Sequence, residues 1–358
     1  MLTRDHASPD RPSHAASTAS LAGRHAAETQ PAMRAIVQRE YGSADVLRQD
    51  TVERPSPAPG EVLIRVRSAA MDRGTWHLMT GTPYLMRVMG FGFRRPANLV
   101  PGLDVSGVVV GIGAGVSRFA IGDEVFGVSR GSFAEYAVAR EDKLAHKPRE
   151  IGFDQAAALG ISALTALTAV RDVAHVEAGQ RVLVVGASGG VGTYAVQLAV
   201  AMGAHVTAVC SAGKVGLVRS LGAERVLAYE HEDFADGSSR YDVLIDIGGM
   251  SSVSRMRRAL TPTGTLVIVG GEGGGTWSPG LGRQLLALAL SPFVSQQLRV
   301  AACKEHHTGL EHLAGLAAAG KVVPVIERSY ALGEVPDAMR HLVSGRARSK
   351  LVVRVSEG

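Results

Sequence analysis

Arg181-Val-Leu-Val-Val-Gly-Ala-Ser-Gly-Gly-Val-Gly192 is the stretch that decides how this chain folds. Val182 to Val185 is an unbroken apolar, largely β-branched run, the pattern of a buried strand. Glycines then fall at 186, 189 and 192, and Val191 to Met202 carries a helical pattern. A strand, a tight glycine turn and a helix build the phosphate cradle of dinucleotide-binding folds. A Cβ in such a turn holds the backbone away from the pyrophosphate. The first-turn N–H groups of the helix face that anion, helped by the helix dipole. Glycine spacing alone is weak evidence. Here a buried strand precedes it, a helix follows, and a second strand comes at His205 to Cys210. The expected cradle is Gly186, Ser188, Gly189, Gly190, Val191 and Gly192.

Outward from this point, strand and helix alternate. The segments are 182–185, 190–202, 205–210, 214–221, 225–228, 243–247, 251–260 and 265–269. Such alternation implies a parallel sheet with helices on both faces. Asp154 to Val170 is an Ala/Leu-rich helical stretch broken by Gly160. Before Phe153 the character differs. Met33 to Val37, Glu61 to Arg67, Val105 to Ile112, the turn and strand at 122–127, and Gly131 to Val138 read as short strands between Gly/Pro turns, a β-rich domain. Ser68 to Gly81 reads as a loop and short helix. Tyr84 to Arg95, apolar and basic together, reads as a lid. After Gly275 come a helix at Thr308 to Ala319 and strands at Val322 to Ile326 and Lys350 to Val355, which are expected to return to the β-rich domain.

Bulk properties set the outer limits. The 358 residues suit two domains; 46% are hydrophobic and 20% charged, ordinary for a globular enzyme. The net charge of +5 comes without a Lys/Arg block, which argues against a nucleic-acid partner. Two distant cysteines, Cys210 and Cys303, exclude a disulfide framework and a four-cysteine zinc site, and suit a reducing cytoplasm. No apolar run reaches membrane-span length; the most apolar helix, Leu281 to Leu290, is interrupted by Arg283 and Gln284. Residues 1–30 lack an apolar period and carry Asp5, Asp10 and Glu28, so neither a secretory nor a mitochondrial leader fits; they read as a disordered tail.

The ordered set of motifs resembles one family. Pro101-Gly-Leu-Asp-Val-Ser-Gly107, Phe119 to Gly127, Gly131 to Tyr136, Leu164-Thr165-Ala166, the glycine turn, Leu221-Gly-Ala223, Tyr241 to Asp246 and Gly320 to Ile326 follow one another as in the zinc-independent, quinone oxidoreductase-like branch of the medium-chain dehydrogenase/reductases. The resemblance runs from about residue 33 to 355. It implies an α/β chain: a Rossmann-type parallel-sheet cofactor domain at 154–299 and a discontinuous GroES-like β-rich substrate domain at 31–153 and 300–358. It also implies hydride transfer from NADPH to a small electrophile: a quinone, a reactive carbonyl or an activated alkene.

Zinc members of the superfamily take a Cys after the second strand and a His in a Gly-His-Glu motif. Asp72 and Leu103 stand at those places. A catalytic zinc needs three protein ligands, so a metal-free site is expected. The adjacent His306 and His307 are expected to diverge at the surface. Without zinc, the protein must orient the reactants and stabilise developing oxyanion charge. The resemblance puts the 68–95 segment at the cleft. There Arg73 is a candidate to face an oxyanion, Asp72 to hydrogen-bond substrate or ribose, and Trp76, His77 and Tyr84 to wall a flat ring. Each has a plain alternative, Arg73 as a solvated charge and Trp76 as core.

Thr165 lies near the nicotinamide in relatives; otherwise it bonds back to its own helical turn. Gly248-Gly249 and Gly270-Gly271 end the fourth and fifth strands of the cofactor domain, and ligands bind at the carboxyl ends of such strands; these glycines either border the cofactor or merely turn the chain. NAD-preferring folds place an acidic residue about 20 residues beyond the fingerprint. Here no Asp or Glu occurs from 206 to 223; Ser211 and Lys214 are present instead, and Tyr229 matches a tyrosine that reaches the 2′-phosphate in relatives. NADPH is therefore the expected cofactor. An enoyl or alkenal reductase, and an NADPH-binding interaction protein without turnover, stay open. Relatives pair sheets edge to edge, and Thr265 to Val269 is expected near such an edge, in a homodimer.

Overall fold

The computed structural model describes residues 31–270 and 281–356. The tail reading for 1–30 and the Gly271 expectation lie outside the described residues. The chain opens with a two-stranded antiparallel hairpin of β1 (Ala32–Val37) and β2 (Arg48–Glu53). Then follow β3 (Glu61–Met71), α1 (Arg73–Thr80), the single turn α2 (Tyr84–Met86), β4 (Asp104–Ile112), β5 (Glu124–Val128), β6 (Tyr136–Arg140) and β7 (Leu144–His146). Two helices, α3 (Phe153–Ala158) and α4 (Ile161–Leu167), lead into the alternating part. It comprises β8 (Arg181–Val185), α5 (Gly190–Ala201), β9 (His205–Cys210), α6 (Val215–Ser220), β10 (Arg225–Ala228), β11 (Tyr241–Asp246), α7 (Val253–Ala259), β12 (Leu260–Ile268), α8 (Leu281–Leu290) and β13 (Gln297–Val300). The chain closes with α9 (His307–Ala318), β14 (Ile326–Ala331), α10 (Val335–Val343) and β15 (Lys350–Arg354).

The alternating part builds a parallel sheet in the order β10-β9-β8-β11-β12-β13. The order reverses between β8 and β11, and in doubly wound sheets a ligand crevice opens at that point. Val182, Leu183 and Val184 are fully buried at its centre, as an apolar run covered on both faces requires. The second sheet runs β14-β15-β3-β4-β5-β7, with β6 on β3. The two C-terminal strands, starting at Ile326 and Lys350, thus join a sheet whose strand β3 starts at Glu61. Between the sheets, α3 packs on β3 and β15, and the buried Tyr194 of α5 donates its hydroxyl to the Ala158 carbonyl at 2.8 Å. The fold is the expected α/β pairing of a parallel sheet with a β-rich sheet.

Four local expectations are corrected. Residues 68–71 continue β3 instead of opening a loop, because β15 returns to pair there, with Leu351 opposite Met71. The strand expected at 322–326 begins only at Ile326: the Val322 and Val323 N–H groups are taken by the Leu316 carbonyl (3.3 Å) and the Gln197 side chain (2.7 Å), and Pro324 has none. Thr265 to Val269 is not at the edge, since β13 covers β12 and, among the described residues, itself forms the edge. His306 and His307 do not diverge; their ring centroids lie 4.3 Å apart.

Candidate functional site

The glycine turn has the local conformation its sequence demands. Gly186 sits at φ +85°, a region that L side chains rarely adopt. An added Cβ would also stand 2.7 Å from the Gly248 nitrogen, so the ends of β8 and β11 approach backbone to backbone. At Gly192 a Cβ would run into the Gly186 carbonyl oxygen, so α5 lies directly on the turn. Gly189 is the N-cap of α5 and no side chain caps the helix, so its first-turn N–H groups are left for an anion. This cradle fits a pyrophosphate.

A cleft of about 790 Å³ opens beside the turn. Gly186, Ser188, Ser211, Lys214, Tyr229 and Gly248 all line it, which brings together six of the expected cofactor residues. Three cations that no sequence motif marks also line it: Arg255, Arg346 and Arg348. Arg255 is tied to Asp233 at 2.8 Å and lies over the Phe234 ring. Among the described residues lining the cleft none is Asp or Glu. The Glu230 carboxylate nearby accepts the Ala212 N–H at 3.0 Å. Burial raises the Cys210 thiol above its ordinary value, with Glu230 adding to the effect. A signal for the two late arginines was present: Arg346, Arg348 and Lys350 crowd three cations into five residues.

The floor of the site is pinned by a second device. Asp246, wholly buried at the end of β11, accepts the Gly249 N–H at 3.3 Å and pairs with Arg283, whose guanidinium also donates to the Gly249 carbonyl. Burial raises the Asp246 carboxyl, and the guanidinium opposes the rise. Arg283, which interrupts an otherwise apolar helix, is there to hold the 248–249 turn. Gly270 follows β12, where a Cβ would strike the Ile247 carbonyl oxygen; among the described residues it is not on the wall of the 790 Å³ cleft. Val191 is half-buried on the first turn of α5.

In the β-rich part of the chain, Asp72 is 7% exposed and caps α1, its Oδ1 accepting the Thr75 N–H at 2.7 Å. Its buried Oδ2 meets no donor among the described residues. Arg73 lies with its guanidinium 4.8 Å from the Trp76 ring centre. Trp76 packs on the core of the β-rich sheet and lines a separate cavity of about 540 Å³ with Tyr41, Met79 and Arg340. His77 contacts the Trp76 ring and hydrogen-bonds the Thr82 carbonyl at 2.6 Å. Arg87 lies against Tyr84 and Tyr41, 4.5 and 4.2 Å from their ring centres. Thr165 donates to the Ile161 carbonyl at 2.7 Å, and Cys303 reaches the same carbonyl from β13's far end at 3.9 Å. Burial pushes the Cys303 thiol up to about 11, which keeps it protonated and unreactive near neutrality. Among the described residues no three His, Cys, Asp or Glu side chains come together as a metal site, and none of the helices is long and apolar enough to cross a membrane.

A buried ion pair ties the two sides together. Lys350 Nζ lies 3.0 Å from Asp104 Oδ2 and 3.1 Å from Ser162 Oγ, with Lys350 1% and Asp104 0% exposed. Asp104 Oδ1 accepts the Ile161 N–H at the start of α4, 2.7 Å away. Burial raises the Asp104 carboxyl to about 7, with Lys350 opposing the rise and Asp72 adding to it.

Comparison with known proteins agrees with this architecture. Residues 58–149 match the family model of the alcohol dehydrogenase GroES-like domain, and residues 221–353 that of a zinc-binding dehydrogenase. The chain is 32% identical to a chloroplast envelope quinone oxidoreductase homolog of Arabidopsis thaliana, over 90% of this chain and 98% of that protein. It is 33% identical to the mitochondrial NAD(P)H oxidoreductase RTN4IP1 of Mus musculus, over 90% and 89%. The structure of the quinone oxidoreductase from Coxiella burnetii superposes with a TM-score of 0.81 at 28% identity, over 91% of this chain and all of that one.

Proposed function

The chain belongs to the medium-chain dehydrogenase/reductase family, in its quinone oxidoreductase-like branch, and on that premise we propose that it binds NADPH and reduces a quinone or reactive carbonyl by hydride transfer without a metal. A nicotinamide cofactor follows from the family and its Rossmann-type sheet; the choice of NADPH is our reading. One observation carries it: the cleft beside the glycine turn joins Lys214, Arg346 and Arg348 on a wall with no carboxylate among the described residues. A 2′-phosphate is a dianion that such a wall attracts, whereas the ribose hydroxyls of NADH make no use of the cations.

Bound NADPH supplies the hydride. The chain's own residues bind and orient. The N-terminal turn of α5 holds the pyrophosphate; Ser211, Lys214, Tyr229 and the two arginines hold the adenosine end. Asp72, with one oxygen left over from its helix cap, accepts a hydroxyl from ribose or substrate. Two copies are proposed to associate through β13, the exposed edge of the parallel sheet.

NADPH oxidation followed against a panel of quinones, enals and enones tests this reading. Turnover with quinones or carbonyls supports it. Turnover confined to enals and enones makes the chain an alkene reductase instead. Tight NADPH binding with no turnover across the panel makes it a binding module.

A further inference from the structure

The segment 346–350 runs between the cofactor cleft and the β-rich sheet, and nearly every residue of it is held. Arg346 and Arg348 line the cleft. The Ala347 carbonyl accepts Lys214 Nζ at 2.8 Å. The Arg348 N–H donates to Glu327 at 2.5 Å. Ser349 is buried at φ +95°, outside the ordinary range of a residue with a side chain, and its hydroxyl meets that of Thr193 on α5 at 3.1 Å. Lys350 starts β15, and its aliphatic stem packs where a Cβ on Gly190 would stand, 3.3 Å from its Cδ. Its ammonium ends on Asp104 and Ser162.

A strained backbone at Ser349 persists only when its surroundings over-determine it. Here the Thr193 hydroxyl on one side and the Lys350 ion pair on the other do so. A buried ion pair is weak evidence for stability, because desolvation offsets most of its attraction. What the pair does supply is position. It fixes the end of the strap that carries two arginines, and it does so against the first turn of α5 and the start of α4.

We propose that Lys350 is a positioning residue for cofactor choice: anchored on Asp104 and Ser162, it holds the 346–348 strap so that Arg346 and Arg348 meet the 2′-phosphate of the cofactor. The proposal rests on the reading of the cleft as a phosphate site. Lys350 touches neither phosphate nor substrate; it acts through the strap. Its loss therefore weakens a ligand bearing the 2′-phosphate and spares one without it, whereas a merely structural loss weakens both.

Calorimetric titration with adenosine 2′,5′-bisphosphate and with 5′-AMP, which differ only in that phosphate, makes the test. The variants are Lys350→Met, the double variant Lys350→Met with Asp104→Asn, and Arg348→Ala. The double variant strands no buried carboxylate, so it keeps the fold even where the single one does not. Arg348→Ala tests the site itself: it should weaken the bisphosphate about tenfold or more and leave 5′-AMP unchanged, as loss of a charge-assisted contact does. The Lys350 variants should do the same to within about threefold. If Arg348→Ala leaves both ligands unchanged, the phosphate-site reading falls, and the proposal with it. If Arg348→Ala discriminates but the double variant weakens both ligands alike, or neither, the strap does not depend on Lys350 and the proposal alone is overturned.

Discussion

Lys214 donates from Nζ to the main-chain carbonyl of Ala347, 2.8 Å away in space and 133 residues away in sequence. One end of the contact belongs to the turn after β9 and the other to the segment before β15. The cleft beside the glycine turn is therefore closed by chain from both sheets.

Lys214→Ala should raise the KM for NADPH and leave that for NADH nearly unchanged. A charge-assisted contact to phosphate is worth roughly 1.5–3 kcal/mol, about tenfold to a hundredfold in affinity. Steady-state kinetics with both cofactors checks it. Equal shifts for the two, or a wild-type preference for NADH, place the phosphate elsewhere.

Asp104→Asn should flatten the dependence of stability on pH between about 4 and 7. The carboxyl titrates at 3.8 in the ordinary case and at about 7 in the folded chain, because burial disfavours its charged form. Between those values the folded chain holds a proton that the unfolded chain has released. Stability is thus greatest below the unfolded value and declines as pH rises through the window, by at most about 1.4 kcal/mol per pH unit. Glu135 and Asp142 act the other way, since paired arginines help to hold them below the ordinary range, and their contribution is lost only in stronger acid. Urea titrations of both proteins across this range compare the slopes; an unchanged slope in the variant refutes the assignment.

Gly192→Ala should weaken cofactor binding and cost about 1–3 kcal/mol of stability. Its new methyl meets the Gly186 carbonyl oxygen, a backbone atom with no room to yield. Gly315→Ala in α9, away from the cleft and with nothing within 4 Å of an added Cβ, is the control. Thermal melts with and without NADPH report both effects, and equal behaviour of the two variants would rule out the close approach.

Asp72→Asn and Asp72→Ala separate a cap from a charge. Asn caps a helix about as well as Asp, while Ala costs about 1 kcal/mol, so only Asp72→Ala should lower the melting temperature. Both should lower kcat if the carboxylate oxygen that the helix leaves free orients substrate or ribose. Full activity in Asp72→Asn would reduce Asp72 to a capping residue.

The motif-bearing parts of the site were legible in the chain. The glycines at 186, 189 and 192 are local in sequence and form the turn and the N-terminus of α5, and Ser211, Lys214 and Tyr229 line the cleft beside it. Arg283 was visible only as an interruption in an apolar helix; its partner Asp246 lies 37 residues away. Trp76 and Thr165 show how one residue type serves two purposes. The first packs on the β-rich core and the second bonds to its own turn, contacts that a sequence position does not rule in or out.

The sequence by itself determined the order of strands and helices, the parallel sheet and its phosphate turn, because periodicity, glycine conformation and β-branching act between near neighbours. Only the tertiary structure decided which strand forms the sheet edge among the described residues, where β3 ends, that Arg346 and Arg348 line the cleft beside the glycine turn, and that Lys350 is buried against Asp104. Those outcomes depend on which distant backbone arrives to take a hydrogen bond or bury a charge. The Lys350–Asp104 pair joins residues 246 apart, and no local pattern of side chains encodes a partner that only folding brings near.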